Sequence, residues 1–262
     1  MRGADDLGVT ERSRSVADTA FSIAAVRAAE RNRPREEQLF DDPYATLFAA
    51  AGAHAAESTQ RYLGLPFFQE GVRLRTRYID DAVRAGVAAG IDQVVLLGAG
   101  FDARALRMPE LARAAVYEVD TADQLARKRA VLAGAGVALP ANVRYVPFDF
   151  ERAEYDAEAL AAAGFRRGAG ALFVWEGVIG YIGADEIARS LRFMAREGGP
   201  GARVVFTFGE STFAPEGSAE HARRAGFTSC EELGGDDLWR RHLAGEPYEH
   251  AHVMRVATAT RE

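Results

Sequence analysis

Two glycines and a set of acids fall where apolar runs break off. In "VVLLGAGFDARAL", Val94 to Leu106, an aliphatic stretch gives way to Gly98 and Gly100 and then to Asp102. Glycines placed directly after a strand allow a positive φ and let a ligand lie close to the backbone. "YEVD" ends a second run on Asp120, and "RYVPFDF" ends a third on Asp149 and Phe150. Carboxylates on consecutive strand ends accept from hydroxyls and amines, each desolvated contact contributing about 1.5–3 kcal/mol. A ribose diol and an exocyclic adenine amine are donors of that kind, so one adenosine satisfies both acids.

The motif leaves more than one ligand open. "GAGFDA" satisfies G-x-G-x-x-G/A, and Asp120 lies twenty residues after Gly100, which suits the ribose-binding acid of a dinucleotide fold. A tight strand-to-helix turn with no ligand would use the same glycines. A pyrophosphate, however, is stabilised by a helix N-terminus free of carboxylates, and Asp102 stands in this loop. S-adenosylmethionine has no phosphate and carries a sulfonium charge, so an acidic rim tolerates it. The second rim acid, Asp149, also counts against NAD.

Positioning these residues requires strands that alternate with helices. Strand-like runs span Val94 to Leu97, Val116 to Val119, Val143 to Val146, Ala171 to Trp175 and Arg203 to Phe208, with helical segments between them. Such alternation predicts an α/β fold with a parallel sheet covered on both faces. Upstream, "DTAFSIAAVRAAERNRP", "DDPYATLFAAAGAHAAE" and "RTRYIDDAVRAGVAAG" read as helices, the first capped by Asp18 or Thr19 and the last stopped at Gly90. "TADQ" fits a capping box on Thr121 and Gln124, and Ile187, Leu191 and Met194 share one face of a later helix. The expected organisation is a single domain over 1–262, with a helical cover (1–90), a ligand-binding core (91–208), a cap excursion (209–249) and a last strand with its tail (250–262).

A net charge of −6 over 262 residues supplies no basic field for a phosphate backbone, which excludes nucleic acid as an expected partner. Cys230 is the only cysteine, and "MRGADDLGVTERSRS" contains no apolar stretch suited to a signal peptide, so the cytoplasm is the expected location. The run "AGALFVWEGVIGYIG" carries Glu176 and is too short to span a bilayer, so no membrane role is expected. The histidines and the lone cysteine lack metal-ligand spacing.

Taken in order, "TAFSIAAVRAAE", "LFDDPYA", "RTRYIDDAV", "QVVLLGAGFDARALRM", "VYEVDTADQLARKRAVL", "RYVPFDF" and "WEGVIGYI" resemble the leucine carboxyl methyltransferase superfamily. The likeness extends to its actinobacterial branch of S-adenosylmethionine-dependent and polyketide-tailoring O-methyltransferases. It implies a class I methyltransferase (Rossmann-like) fold, a mainly parallel seven-stranded sheet with one antiparallel strand, supplied here by "AHVMRVATAT". It also implies roles for matched positions. Gly98 and Gly100 would lie beside the methionine part of S-adenosylmethionine, Asp120 on its ribose, and Asp149 with Phe150 on its adenine. Arg75 would pair with the α-carboxylate, with Arg77 a neighbour able to substitute, and a second cationic partner would fall near Arg27. Glu176 matches the glutamate after the fourth strand, near the methionine amino group or the substrate entry.

The chemistry expected is O-methylation of a small-molecule acceptor. A carboxylate needs no general base near neutral pH, whereas a phenol would be helped by one. Tyr181 and Glu176 are the candidates for a catalytic role, while none of His54, His221, His242, His250 and His252 has a partner that spacing identifies. Methylation of a protein C-terminal carboxylate and NAD-dependent dehydrogenation are the alternatives. The acceptor pocket is expected between the amino-terminal helices and the segment from Glu210 to Glu249.

Overall fold

The computed structural model describes residues 19–52, 64–148 and 157–262. Helix α1 runs over 19–30, followed by α2 (Ala45–Ala51) and the long α3 (Pro66–Ala88). Then come β1 (Gln93–Leu97), α4 (Arg104–Arg107), β2 (Ala115–Asp120), α5 (Ala122–Gly134), β3 (Val143–Pro147), α6 (Ala157–Ala162), β4 (Leu172–Trp175), α7 (Ala184–Gly198) and β5 (Arg203–Gly209). The chain ends with α8 (Ser218–Ala225), β6 (Ser229–Gly234), α9 (Gly235–His242) and β7 (Met254–Thr260).

The seven strands lie in the order β3-β2-β1-β4-β5-β7-β6. β7 alone runs against its neighbours, pairing antiparallel with both β5 and β6. Each expected strand is present to within a few residues. The segment expected as an excursion over the sheet edge carries β6 between α8 and α9. Its sequence "SCEELG" has a burial pattern that alternates only partly, as befits an edge strand with one half-solvated face, and that weak alternation hid it.

Period-two alternation divides the strand residues between two buried faces. Val95, Leu97, Phe173, Trp175, Val204 and Phe206 pack with Ile187, Leu191 and Met194 of α7. Val94, Leu96, Leu172, Val174 and Val205 pack with Ile79 and Val83 of α3. Gly86 lies within α3 because a Cβ there would come within 3.2 Å of Leu172 Cδ2, so the glycine sets how closely the helix approaches the sheet. A third cluster joins the cover to the loop after β1: Phe101 stacks on Phe48 with centroids 4.8 Å apart and lies 4.9 Å from Phe21.

At α5 half of the expected capping box forms. Thr121 Oγ1 accepts from the Gln124 amide at 3.3 Å. The Thr121 amide donates instead to Asp120 Oδ1 at 2.7 Å, a stronger charge-assisted acceptor than a neutral glutamine.

Candidate cofactor-binding site

The order of strands reverses between β1 and β4, and in an open α/β sheet that is where ligands bind, beyond the carboxyl ends. Leu96 pairs with Val174, and Leu97 with Val119. Gly98, Asp120 and Glu176 therefore leave three adjacent strands at one rim.

The two loop glycines answer different demands. Gly98 has φ +66, and a Cβ on it would come within 2.3 Å of Val178 Cγ2, so packing alone requires glycine there. Gly100 has φ +46, and a Cβ on it would find nothing nearer than Gly98 O at 3.8 Å; space lies open above it. The Gly100 amide donates to Asp120 Oδ2 at 2.7 Å. With one amide on each oxygen, the Asp120 carboxylate keeps lone pairs for hydroxyl donors. Burial raises its pKa, and the Gly100 and Thr121 amides oppose that shift.

Glu176 is the hub of the rim. Its Oε1 accepts from Arg27 Nη2 at 2.7 Å and Arg75 Nε at 2.9 Å, and its Oε2 from Arg104 Nη1 at 2.9 Å. Burial pushes this carboxyl up, but Arg27, Arg104 and Arg75 together hold it well below the usual range. Burial lowers the Arg75 guanidinium, with Glu176 opposing. Arg75 Nη1 and Nη2 have no hydrogen-bond partner among the described residues. Arg77 points away and pairs with Asp81 on the surface of α3 at 2.8 Å, so it does not stand in for Arg75. Arg27, from α1, which the resemblance places near the cofactor's carboxylate, here meets Glu176 and the Thr76 hydroxyl.

Asp102 behaves differently from its expected part in excluding a phosphate. Its Oδ1 accepts from the Arg104 amide at 2.7 Å, and its Oδ2 pairs with Arg104 Nη1 at 2.5 Å. Although burial opposes it, Arg104 holds this carboxyl low, and its charge is spent on that partner. Arg104 also reaches Asp80 Oδ1 at 2.7 Å, and Asp80, Asp102 and Glu176 raise it well above its ordinary value against burial. What counts against a dinucleotide here is the helix: α4 is a single turn, too short to present a helix dipole to a pyrophosphate.

Tyr181 closes a 3-10 turn over Ile179–Tyr181, near enough to Arg75 to influence its charge. Asp149 and Phe150, the expected adenine contacts, and His54 lie outside the described residues. Sequence reasoning missed Asp80, Arg107 and Asp42. Arg107 pairs with Asp80 Oδ2 at 2.7 Å and approaches Asp42 Oδ2 at 3.6 Å. Aspartates on the buried face of a helix and in a loop carry no spacing signal. Among the described residues, no group of His, Cys, Asp and Glu could hold a metal ion, and no helix is long and apolar enough to cross a membrane.

Residues 20–195 match the profile of the leucine carboxyl methyltransferase family. The chain belongs to that family. Its members are S-adenosylmethionine-dependent methyltransferases, and the fold above is that of such an enzyme. A protein of Parafrankia sp. (strain EAN1pec), assigned by inference as an S-adenosyl-L-methionine-dependent methyltransferase, is 34% identical over 261 residues, covering 94% of this chain and 78% of its own. A protein of Mycobacteroides abscessus with the same assignment is 33% identical, covering 90% and 79%. Among solved structures, a DUF574 family protein of Streptomyces avermitilis superposes with a TM-score of 0.54 at 15% identity, covering 93% of this chain and 97% of that one. The structure of a protein of Thermobifida fusca, assigned by inference as a methyltransferase, gives 0.52 at 16%, covering 93% and 94%. These likenesses speak for the fold alone.

Proposed function

We propose that this family member methylates an oxygen of a small-molecule acceptor, a natural-product carboxylate first and a phenolic hydroxyl second. The observation that carries the preference is the state of Glu176. Both of its oxygens are engaged by guanidinium groups and its carboxyl is held ionised, so it has no affinity for a proton that a base must abstract. An acceptor that is already an anion needs no such help.

The residues present fit S-adenosylmethionine. Asp120 offers acceptor lone pairs for ribose hydroxyls, Gly100 leaves backbone open beneath the methionine part, and the spare Arg75 nitrogens suit an α-carboxylate. Asp149 and Phe150 remain the proposed adenine contacts. When bound, the cofactor supplies a sulfonium methyl group that an acceptor oxygen takes by in-line displacement. Glu176 acts on this reaction by holding Arg27, Arg75 and Arg104 in place, and so α1, α3 and the loop after β1. Tyr181, beside Arg75 at the end of its 3-10 turn, is the proposed acceptor contact. Such a displacement needs alignment and a dry site more than it needs acid or base, and burial of Glu176 among its arginines serves that need.

The deciding experiment incubates the protein with methyl-labelled S-adenosylmethionine and a panel of carboxylic acids, phenols and a peptide ending in leucine, with products read by mass spectrometry. Labelled esters of small acids are expected, with kcat flat between about pH 6 and 8 because the acceptor is ionised throughout. Labelled ether from the phenols alone would overturn the carboxylate reading, and label in the peptide alone would overturn the small-molecule reading.

A further inference from the structure

Lys128 is the only lysine in the chain; all other Lys and Arg positions are arginine. It is also completely buried, its ammonium 0% exposed beside Glu118 at 2%. A sequence that uses arginine everywhere else keeps the compact three-donor ammonium at one interior position, where a planar guanidinium would make different demands on space and geometry.

The partners of Lys128 say what that position does. Nζ, reaching in from α5, donates to Glu118 Oε2 at 2.6 Å and also to the carbonyl oxygen of Asp102. Glu118 lies two residues before Asp120 on β2, on the same side of the strand. Asp102 lies at the far end of the glycine loop. The near end of that loop is already fixed, because the Gly98 and Ala99 amides donate to Val119 O at 2.8 and 3.1 Å and Gly100 to Asp120. The far end is held by the Lys128 ammonium and by Arg104. Burial raises the Glu118 carboxyl, and Lys128 opposes that.

We propose that Lys128 is the positioning residue of the cofactor loop: by tying the Asp102 carbonyl to Glu118, it holds residues 98–104 against the strand that carries Asp120. It touches neither cofactor nor acceptor. Its removal therefore loosens the loop and weakens cofactor binding while leaving the transfer step intact. The binding part rests on the function proposed above; the loop part does not.

Three variants test this: Lys128→Met, Lys128→Arg and the pair Glu118→Met/Lys128→Met. The pair matters because the single Met variant strands a buried carboxylate and loses stability for that reason alone. In the pair, Tm recovers toward wild type, but amide hydrogen exchange at residues 99–104 of the cofactor-free protein stays at least about tenfold faster than wild type, as loss of one buried charge-assisted hydrogen bond implies. Calorimetry with S-adenosylhomocysteine shows a Kd raised about tenfold in Lys128→Met and in the pair. KM for the donor rises with it while kcat at saturation is unchanged. Lys128→Arg keeps the charge and does not rescue. Wild-type exchange in the pair variant overturns the proposal, as does full rescue by arginine. If the wild type itself takes up no S-adenosylhomocysteine, the cofactor reading fails and the exchange measurement still decides whether Lys128 holds the loop.

Discussion

The same chemical pair, an arginine against a carboxylate, is used in two ways at the two ends of this molecule. At the rim, Arg104 and Asp80 are 1% and 0% exposed, and Glu176 is 7% exposed among three guanidinium groups. In the carboxyl-terminal part, Arg223 and Glu220 are 70% and 28% exposed, three residues apart on α8, and Arg240 meets Asp236 four residues away on α9. The first set joins distant segments: Arg27 to Glu176 spans 149 residues, and Arg75 to Glu176 spans 101. The second set joins neighbours on one turn of helix. Where water is excluded, losing one partner leaves a charge that nothing else can solvate; where water is present, it replaces the partner. The rim pairs therefore act as cross-links between elements, and the surface pairs chiefly keep helices soluble.

The sharpest break in that contrast comes from Glu176→Gln. It takes the carboxylate from buried Arg27 and Arg75 and leaves Arg104 to Asp80 and Asp102, so a loss of about 3–5 kcal/mol is expected, read as a fall in Tm on the order of 10 °C. A Tm within a degree of wild type would show that the cluster is no cross-link. Next in size, Asp120→Ala raises the Kd for S-adenosylhomocysteine by at least about tenfold, since it removes acceptors for desolvated hydroxyls; unchanged affinity in a calorimetric titration removes the ribose assignment. Arg75→Ala raises the same Kd severalfold while Arg77→Ala does not, because only Arg75 faces the rim. Equal effects would erase the distinction the structure draws between them.

The pH dependence sharpens the comparison further. The folded pKa of Glu176 is depressed, so its contribution to stability is fully present above the unfolded carboxyl value, about 4.3, and is lost as pH falls toward the folded one. Subtracting the Tm profile of Glu176→Gln from that of wild type should give a difference that is level above about pH 5 and shrinks as pH falls below about 4. Asp42, Glu118 and Asp120 are shifted upward by burial and act in the opposite sense, but they are present in both proteins and cancel. The smallest effect is expected from Arg223→Ala, with Tm unchanged within about 2 °C. A larger fall would mean that surface pairs on α8 carry more than solubility.

Much of the α/β core is legible in the sequence, because it depends on local signals. Val94 to Leu97 and Ala171 to Trp175 are apolar throughout, as strands buried on both faces must be, and Thr121 caps the helix expected after Asp120. The edge strand β6 was not legible, since a half-exposed strand of serine, cysteine and glutamate alternates too weakly to stand out. The site divided in the same way. Gly100 and Asp120 are joined through a loop and a strand end in register, and spacing suggested both. Asp80, Arg107 and the three-arginine embrace of Glu176 come from α1, α3, the loop after β1 and the end of β4, and no interval along the chain links them.

From the sequence alone come the alternating strands and helices of the core, the glycines that open the loop, and the presence of one lysine among many arginines, all set by backbone preference, periodicity and composition. Folding adds which of those arginines turn inward, which carboxylate each one meets, and that the lone lysine is sealed beneath the loop. Such pairings depend on distance through space in a medium of low polarity, and residues far apart in the chain acquire that relation only when the sheet brings their elements to a common rim.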